Sequence, residues 1–492
     1  MLQRRHVLAI GTLAVTGGVI ASSRLAEAEE STDVAITAAN HHQQHPGAAT
    51  GRIIEPGIAA FTTRMPVPAE LRPVRSYGSY DYFEHTLQSA DVEILPGVST
   101  AALTYGGSFI GPTIRVKSGR RARVNFRNDL DHPANVHLHG GHVPAGSDGY
   151  PMDTIAPGRS RLYDYPNRQP ATTLWYHDHT HHMEAEHVYK GLHGFYLIED
   201  DAERKLGLPS DEYDVPLMIR DAAFDDDGQL FFDAFGDPYS TRLTSMANGK
   251  VRPYFPVANR RYRFRILNAS NHRSFHLRLN GAEMVQVGSD GGLLPKPVPL
   301  TELVLSPAER ADVVIDFGRH PIGAKLVLGS ELGPIVRFDV TQRTRDTSRV
   351  PAVLSPLPPL TRAAKEREIT LGLSPDQQWF WIDGKPFDEN RVDITIKRGT
   401  TEIWKITNLD DVFGGIEHSF HIHLVQFRVL DRDGVAPPPG ETGLKDTVVI
   451  PAGTSVRVQA TFADYPGLYT YHCHLMEHSS TFQMMAQMEI VP

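Results

Sequence analysis

The sequence predicts an all-β protein built from three related, mostly antiparallel units, and three observations carry that prediction. Short runs that alternate apolar and polar residues recur along the chain, among them Thr113-Ile114-Arg115-Val116-Lys117 and Asp393-Ile394-Thr395-Ile396-Lys397. Gly, Pro and Asn separate such runs, and few stretches show helical periodicity. The chain has 492 residues, room for three domains at ~150 residues each. A pattern of spacings also repeats. Ile114-Arg115-Val116-Lys117 is followed by Gly119 and, nine residues later, by Asn128, while Ile394-Thr395-Ile396-Lys397 is followed by Gly399 and, at the same spacing, by Asn408. A fainter middle copy runs from Tyr262 to Asn268.

The chain begins with Arg4-Arg5, an uncharged apolar stretch from Val7 to Ala21, and then Ala26-Glu27-Ala28. These features predict a twin-arginine export signal over residues 1–28, a folded protein carried out with any cofactor already loaded, and a periplasmic or extracellular location. The apolar stretch is short for a membrane span, and no later segment approaches about 18 uncharged apolar residues, so no membrane partner is expected after cleavage. An uncleaved anchor is the alternative. Residues 29–58 are polar, and His41, His42 and His45 beside Pro46-Gly47 read as part of a solvated tether. The units are expected at residues 59–205, 206–344 and 367–492, with a linker over 345–366 marked by Pro351, Pro356, Pro358 and Pro359. A net charge of −9 without long blocks of one sign argues against nucleic acid as a partner and for a small molecule or ion.

The first and last units carry paired histidines. His137-Leu138-His139 and His421-Ile422-His423 follow the two asparagines, and Tyr176-His177-Asp178-His179 matches Tyr471-His472-Cys473-His474 near the end of each unit. The middle copy has only His276-Leu277-Arg278. Residues i and i+2 of a strand point the same way, so each pair offers two imidazoles in one direction. One such pair is commonplace. Four pairs placed by a repeat indicate a metal site, and eight neutral imidazoles without a carboxylate favour copper or zinc over calcium or magnesium.

Cys473 separates those two metals. It is the only cysteine, so no internal disulfide retains it. Between His472 and His474 on a strand, its side chain points to the face opposite theirs and serves a different centre. His478, five residues on, and His418, three before His421, complete two imidazoles and a thiolate, which with a weak thioether make a blue-copper electron-transfer site. A buried, inert cysteine is the bland alternative. An electron collected at that copper has a short covalent path through Cys473 into either neighbouring histidine.

Four motifs carry a resemblance: His137-Leu138-His139-Gly140, Trp175-Tyr176-His177-Asp178-His179, His418-Ser419-Phe420-His421-Ile422-His423 and His472-Cys473-His474-Leu475-Met476-Glu477-His478. On them the chain resembles the multicopper oxidases, especially the bacterial laccase-like enzymes of the spore-coat laccase, bilirubin oxidase and phenoxazinone synthase group, over nearly all residues beyond about 58. The resemblance implies three cupredoxin-like Greek-key sandwich or barrel domains and four coppers per chain. It implies a type 1 copper on His418, Cys473 and His478, a type 2 copper on His137 and His421, and a type 3 pair on His139, His177, His179, His423, His472 and His474. It also implies four one-electron oxidations of a phenolic or aminophenolic reductant, coupled to reduction of dioxygen to water.

The chain departs from that family pattern in places. Ser419 stands where relatives have proline, and little consequence is expected because neither side chain is a ligand. Relatives place an axial methionine ten residues after the cysteine, where this chain has Gln483. Allowing one inserted residue brings Met484 to that place and puts Met484, Ala486, Met488 and Ile490 on one strand face, so Met484 is expected as the axial residue over Gln483. Of two acids that serve proton delivery in relatives, the first is matched by Asp148 in Ser147-Asp148-Gly149, which alone reads equally as a turn aspartate. The second position holds Ser479, with Glu477 nearby in sequence. His181, His182, His187 and His193 match no ligand position and are expected to be structural or solvated. The 11 methionines form no insertion like that of cuprous oxidases, which favours an organic reductant over Cu(I) or Mn(II). Two other classes compete. A zinc hydrolase could use His177-Asp178-His179-Thr180-His181-His182 but leaves Cys473 and the other three pairs unexplained. A non-catalytic copper-binding relative would be expected to have lost ligands, and all ten histidines and the cysteine are here.

Overall fold

The alternating runs form strands in the computed structural model, which describes residues 53–54 and 56–492 apart from 376–378 and 411–414. The expected export signal and most of the tether, with His41, His42 and His45, lie outside the described residues. Ile394–Lys397 buries Ile394 and Ile396 and exposes Thr395 and Lys397, the pattern of a strand with one face on a core. Among the described residues helices are few and short, and none is long and apolar enough to cross a membrane.

The internal repeat is a repeat of topology. In the first unit one sheet has the order Gly111–Lys117, His193–Glu199, Thr172–His177, His137–His139. In the last unit the matching sheet runs Ile394–Lys397, Met485–Val491, Gly467–Cys473, His418–Ile422, with Thr447–Ile450 added at its edge. The first two strands are parallel and the rest antiparallel in both sheets. Each packs on a second sheet over its own core, around Val124, Phe126 and Tyr163 in the first unit and Trp404, Ile406 and Val458 in the last. The middle unit has the same two-sheet build around Phe264, Val313 and Phe338.

The spaced asparagines have one job in all three units. Asn128, Asn268 and Asn408 each end a core strand with no exposed surface. Each side-chain amide donates to two carbonyls: His132 and Ile155 at 2.8 and 2.7 Å, Arg273 and Leu305 at 2.8 Å each, Ile416 and Ile450 at 2.8 and 2.9 Å. Each Oδ1 accepts the N–H two residues on, from Leu130, Ser270 and Asp410. The side chain thus satisfies backbone groups where the chain leaves the sheet, and it ties that exit to a distant loop.

Residues 344–363 carry no helix or strand but are strapped down, with Leu354 buried among Leu208, Val287, Leu294 and Val314. A further apolar cluster, which includes Phe109, Trp175, Phe195, Met218, Leu267 and Met476, joins residues of all three units. The segment between Cys473 and Met484 contains an irregular turn. Glu477–Thr481 is a π-turn, with the Phe482 N–H reaching the Glu477 carbonyl at 3.0 Å. Such a turn holds one residue more than an α-helical turn and often marks a functional site.

Candidate metal centres

The first centre is built where His418–Ile422 pairs with Gly467–Cys473, in a register that sets Phe420 opposite Cys473 and His421 opposite His472. Cys473 Sγ lies 3.6 Å from His418 Nδ1 and 3.8 Å from His478 Nδ1, and the two ring nitrogens are 3.3 Å apart. All three residues are buried. Ligand atoms about 2 Å from a common ion stand roughly 3 to 3.5 Å apart, so this triangle fits a single late transition metal. His478 is fixed by a stack on Phe380 at 3.8 Å, and His418 Nε2 faces Asp410 at 3.5 Å. Burial pushes the Cys473 thiol up to about 12, so a thiolate here requires a cation beside it.

Met484 packs in the same core as Cys473 and has no exposed surface; its carbonyl accepts the Cys473 N–H at 3.1 Å, and its own N–H bonds the His478 carbonyl at 2.8 Å. Gln483 is only half buried, in a left-handed conformation with φ 64°. Met484, Ala486, Met488 and Ile490 all lie in the core that also holds Cys473.

The second centre gathers the eight paired imidazoles, all buried, from the first and last units. Nε2 atoms of His179, His423 and His472 form a triangle with sides of 3.1 to 3.3 Å. His137 Nε2, His139 Nδ1, His177 Nε2, His421 Nε2 and both nitrogens of His474 have no hydrogen-bond partner. The opposite ring edges are pinned. Nδ1–H groups of His137, His177, His421 and His472 donate to the carbonyls of Asp148, Asp178, Asp446 and Cys473 at 2.5, 2.7, 2.8 and 3.0 Å. His423 Nδ1 donates to Asp148 Oδ2 at 2.8 Å. An acceptor on Nδ1 fixes the tautomer and leaves the Nε2 lone pair facing inward, as metal-binding histidines require. Burial depresses all eight, His177 and His421 to about 3 and His472 to about 4, so they are neutral. Unpartnered lone pairs this numerous, buried together, fit late transition metal ions and leave no other plain account.

Asp148 holds rings from both outer units: its carbonyl takes His137 and its carboxyl takes His423, while Oδ1 is unpartnered. Burial pushes that carboxyl well above the usual range. Asp178, where the last unit has Cys473, is engaged elsewhere, accepting from Asn135 N–H at 2.8 Å and Thr180 N–H at 2.9 Å and pairing with His187 at 3.0 Å. His187 is therefore structural. His193 is buried beside Arg220, and the His181 and His182 rings lie tilted against one another, 3.8 Å apart, with His182 exposed.

Several residues around the cluster carry no signal in the sequence. Asp446 Oδ1 lies 3.0 Å from His139 Nε2. Its carboxylate receives Arg310 through two N–H donors at 2.7 and 2.6 Å and Gln426 at 2.8 Å. Burial alone would raise Asp446, and Arg310 more than offsets it, holding the group at about 2. Arg310 begins the strand Arg310–Asp316 of the middle unit, with Asp290 and Lys445 close by. The middle unit thus does more than space the other two. Gly140 has φ +78°, and a Cβ there would sit 2.4 Å from Asp446 Oδ2 and 2.8 Å from Arg310 Nη2, so the glycine of the first motif makes room for this pair. Glu184, at the start of the helix Glu184–Tyr189, is also buried against the cluster.

Comparison with known proteins agrees with this construction. Three sequence profiles described as multicopper oxidase match residues 74–203, 244–324 and 361–492. A laccase of Bacillus subtilis is 37% identical, over 88% of this chain and 99% of that protein. The crystal structure of a laccase from Pediococcus acidilactici superposes with a TM-score of 0.82 at 32% identity, covering 89% of this chain and 97% of that one. A multicopper oxidase of Campylobacter jejuni, described as a metallo-oxidase, superposes with a TM-score of 0.79 at 26% identity, covering 90% and 98%. With three cupredoxin-like units, a thiolate triad and an eight-imidazole cluster between the outer two, this chain belongs to the multicopper oxidase family, copper-dependent oxidoreductases that use dioxygen.

Proposed function

We propose that the chain is a laccase-like oxidase that takes four electrons, one at a time, from a phenolic or aminophenolic reductant and passes them to dioxygen, giving two waters. The observation that carries this reading is Cys473. Its sulfur stands with His418 and His478, while its sequence neighbours His472 and His474 belong to the imidazole cluster. His418, Cys473 and His478, with Met484 beside them, would hold a type 1 copper, His137 and His421 a type 2 copper, and His139, His177, His179, His423, His472 and His474 a type 3 pair. That makes four coppers per chain. When bound, these ions supply one-electron chemistry toward the reductant and four-electron chemistry toward dioxygen. The chain supplies the covalent path from Cys473 Sγ to the two flanking imidazoles, the rigid orientation of each ring, and a buried acid at Asp148.

Aromatic rings support an aromatic reductant. Phe235, 66% exposed, meets Phe482 edge-on at 5.7 Å; Phe482 meets Phe380 at 5.9 Å, and Phe380 stacks on His478. Methionines Met476, Met484, Met485 and Met488 are buried, and among the described residues only Met152 is an exposed methionine, so no surface thioether cluster is offered to Cu(I). The Arg4-Arg5 start supports export by the twin-arginine route to the periplasm or beyond, and the unit boundaries at 59–205, 206–344 and 367–492 belong to the same proposal.

A copper count and visible spectrum test it. Four coppers and an intense blue band that disappears in Cys473→Ser are expected; a colourless zinc protein would sink the reading. Oxygen uptake with an aminophenol beside Cu(I), at equal enzyme, then identifies the reductant class, and turnover of Cu(I) alone would replace the laccase reading with a metallo-oxidase.

A further inference from the structure

Reduction of one dioxygen to two waters consumes four electrons, supplied by the reductant, and four protons, which the chain must conduct inward. Asp148 stands on one side of the imidazole cluster. On the side of the π-turn Glu477–Thr481, the position after His478 is Ser479, which has no carboxyl. Glu477 does not replace it. Its carboxylate is turned to Arg242 at 2.7 Å, Asn271 at 3.3 Å and His272 at 3.8 Å.

Another element brings an acid to that place. The helix Glu184–Tyr189 begins five residues after His179 and packs on the π-turn, where the Ala185 N–H meets Ser480 Oγ at 3.5 Å. Glu184 is 1% exposed, and its Oε2 accepts the Ser479 hydroxyl at 3.4 Å. Its Oε1 has no hydrogen-bond partner and stands 3.8 Å from Nδ1 of both His177 and His179. A buried carboxyl oxygen left unpartnered beside the cluster calls for an explanation. The same turn reaches the surface, since His182, exposed, donates its Nδ1–H to the Ser480 carbonyl at 3.1 Å.

We propose that Glu184 is the proton-relay acid on this face of the cluster, a carboxyl delivered from the first unit to the space that Ser479 leaves without one. This inference rests on the oxygen-reducing reading above. In each cycle Glu184 gives up its carboxyl proton toward the cluster and regains one from the Ser479 side, so it ends unchanged. The four protons and the reductant's four electrons together balance one dioxygen against two waters.

The test separates electron entry from oxygen reduction in the copper-loaded, full-length protein. Anaerobic mixing with an aminophenol reads bleaching of the blue band, and mixing the reduced protein with oxygen reads the band's return. Glu184→Gln is expected to keep the copper count, the oxidised spectrum and the bleaching rate. The band should return about 100-fold more slowly, in line with the loss of one positioned acid, with a larger solvent isotope effect and hydrogen peroxide released. Moving the acid supplies the second arm: Glu184→Ala clears the volume that Ser479→Glu needs, and the pair is expected to return within about tenfold of the unaltered rate, whereas Glu184→Ala alone stays slow. A Glu184→Gln protein that reoxidises normally, or that loses copper or its spectrum, overturns the proposal, as does a relocated acid that restores nothing. Unaltered protein that takes up no oxygen would sink the proposed function instead.

Discussion

Replacing Arg310 with methionine asks how firmly the middle unit holds the imidazole cluster. The change removes both N–H donors to Asp446, at 2.7 and 2.6 Å, and leaves Gln426, Thr447 and His139 as its neutral donors. The side chains of Arg310 and Asp446 have no exposed surface, so a carboxylate stripped of its cation has no water to turn to. Breaking a buried pair from one side costs about 3–5 kcal/mol. Taking a proton is no cheaper an escape: a neutral Asp446 at pH 7 needs a pKa about three units above that of an ordinary aspartate, or about 4 kcal/mol. The two routes agree, and Arg310→Met is expected to lose about 4 kcal/mol in denaturant unfolding. Arg310→Met with Asp446→Leu should lose less than the single changes added together, because no bare charge remains. His139 also loses a fixed acceptor, so the copper-loaded variant should yield its metal to a competing chelator at roughly 10–100-fold lower chelator concentration. A single variant within 1 kcal/mol of the parent, equally resistant to chelator, would refute the claim that the middle unit orients His139 through Asp446.

Three further outcomes follow from the geometry. Ser419→Ala removes a hydroxyl that donates to the Pro307 carbonyl at 2.8 Å, so stability should fall by about 1–3 kcal/mol even though Ser419 holds no metal. Phe235→Ala should raise KM for an aromatic reductant about threefold to tenfold and leave reoxidation by dioxygen unchanged, as stopped-flow traces of the blue band would show. Copper-free protein should lose stability on acidification. The imidazoles have folded pKa values below the unfolded value near 6.5, with His472 at about 4, so the unfolded chain binds more protons and stability falls as pH drops through that window. Each ring kept neutral costs about 2 kcal/mol at pH 5, which circular dichroism melts of the chelated protein at pH 7 and pH 5 would register.

Strand character, the repeat and the residues that gather into the two clusters were legible because their signals are local and periodic. A His-x-His pair states its own geometry once it lies on a strand, and Gly119 to Asn128 and Gly399 to Asn408 mark the same turn of the same fold. The π-turn Glu477–Thr481 was not legible, because a five-residue turn between two metal-site motifs has no periodic signal of its own. Arg310, Asp446 and Glu184 were illegible for the converse reason. A lone arginine or carboxylate has no period, and the chain separations from Arg310 to Asp446, 136 residues, and from Glu184 to Ser479, 295 residues, are set by how units pack. Ser419 shows the same limit: the sequence led to little being expected of it because it is no ligand, whereas its hydroxyl ties the last unit to the middle one.

The division of the imidazole cluster between the outer units has a consequence for how such a protein is made. His179 and His472 face each other across 293 residues of chain, and His139 meets Asp446 across 307. Contacts of that span form late. A growing chain that has exposed His137, His139, His177 and His179 holds half of a binding site with nothing opposite, and the cysteine arrives only with the last strands. A complete imidazole cluster is therefore a report that both outer units have been made and have found each other, and a truncated or misassembled chain keeps at most the triad of the last unit, with no shared cluster behind it.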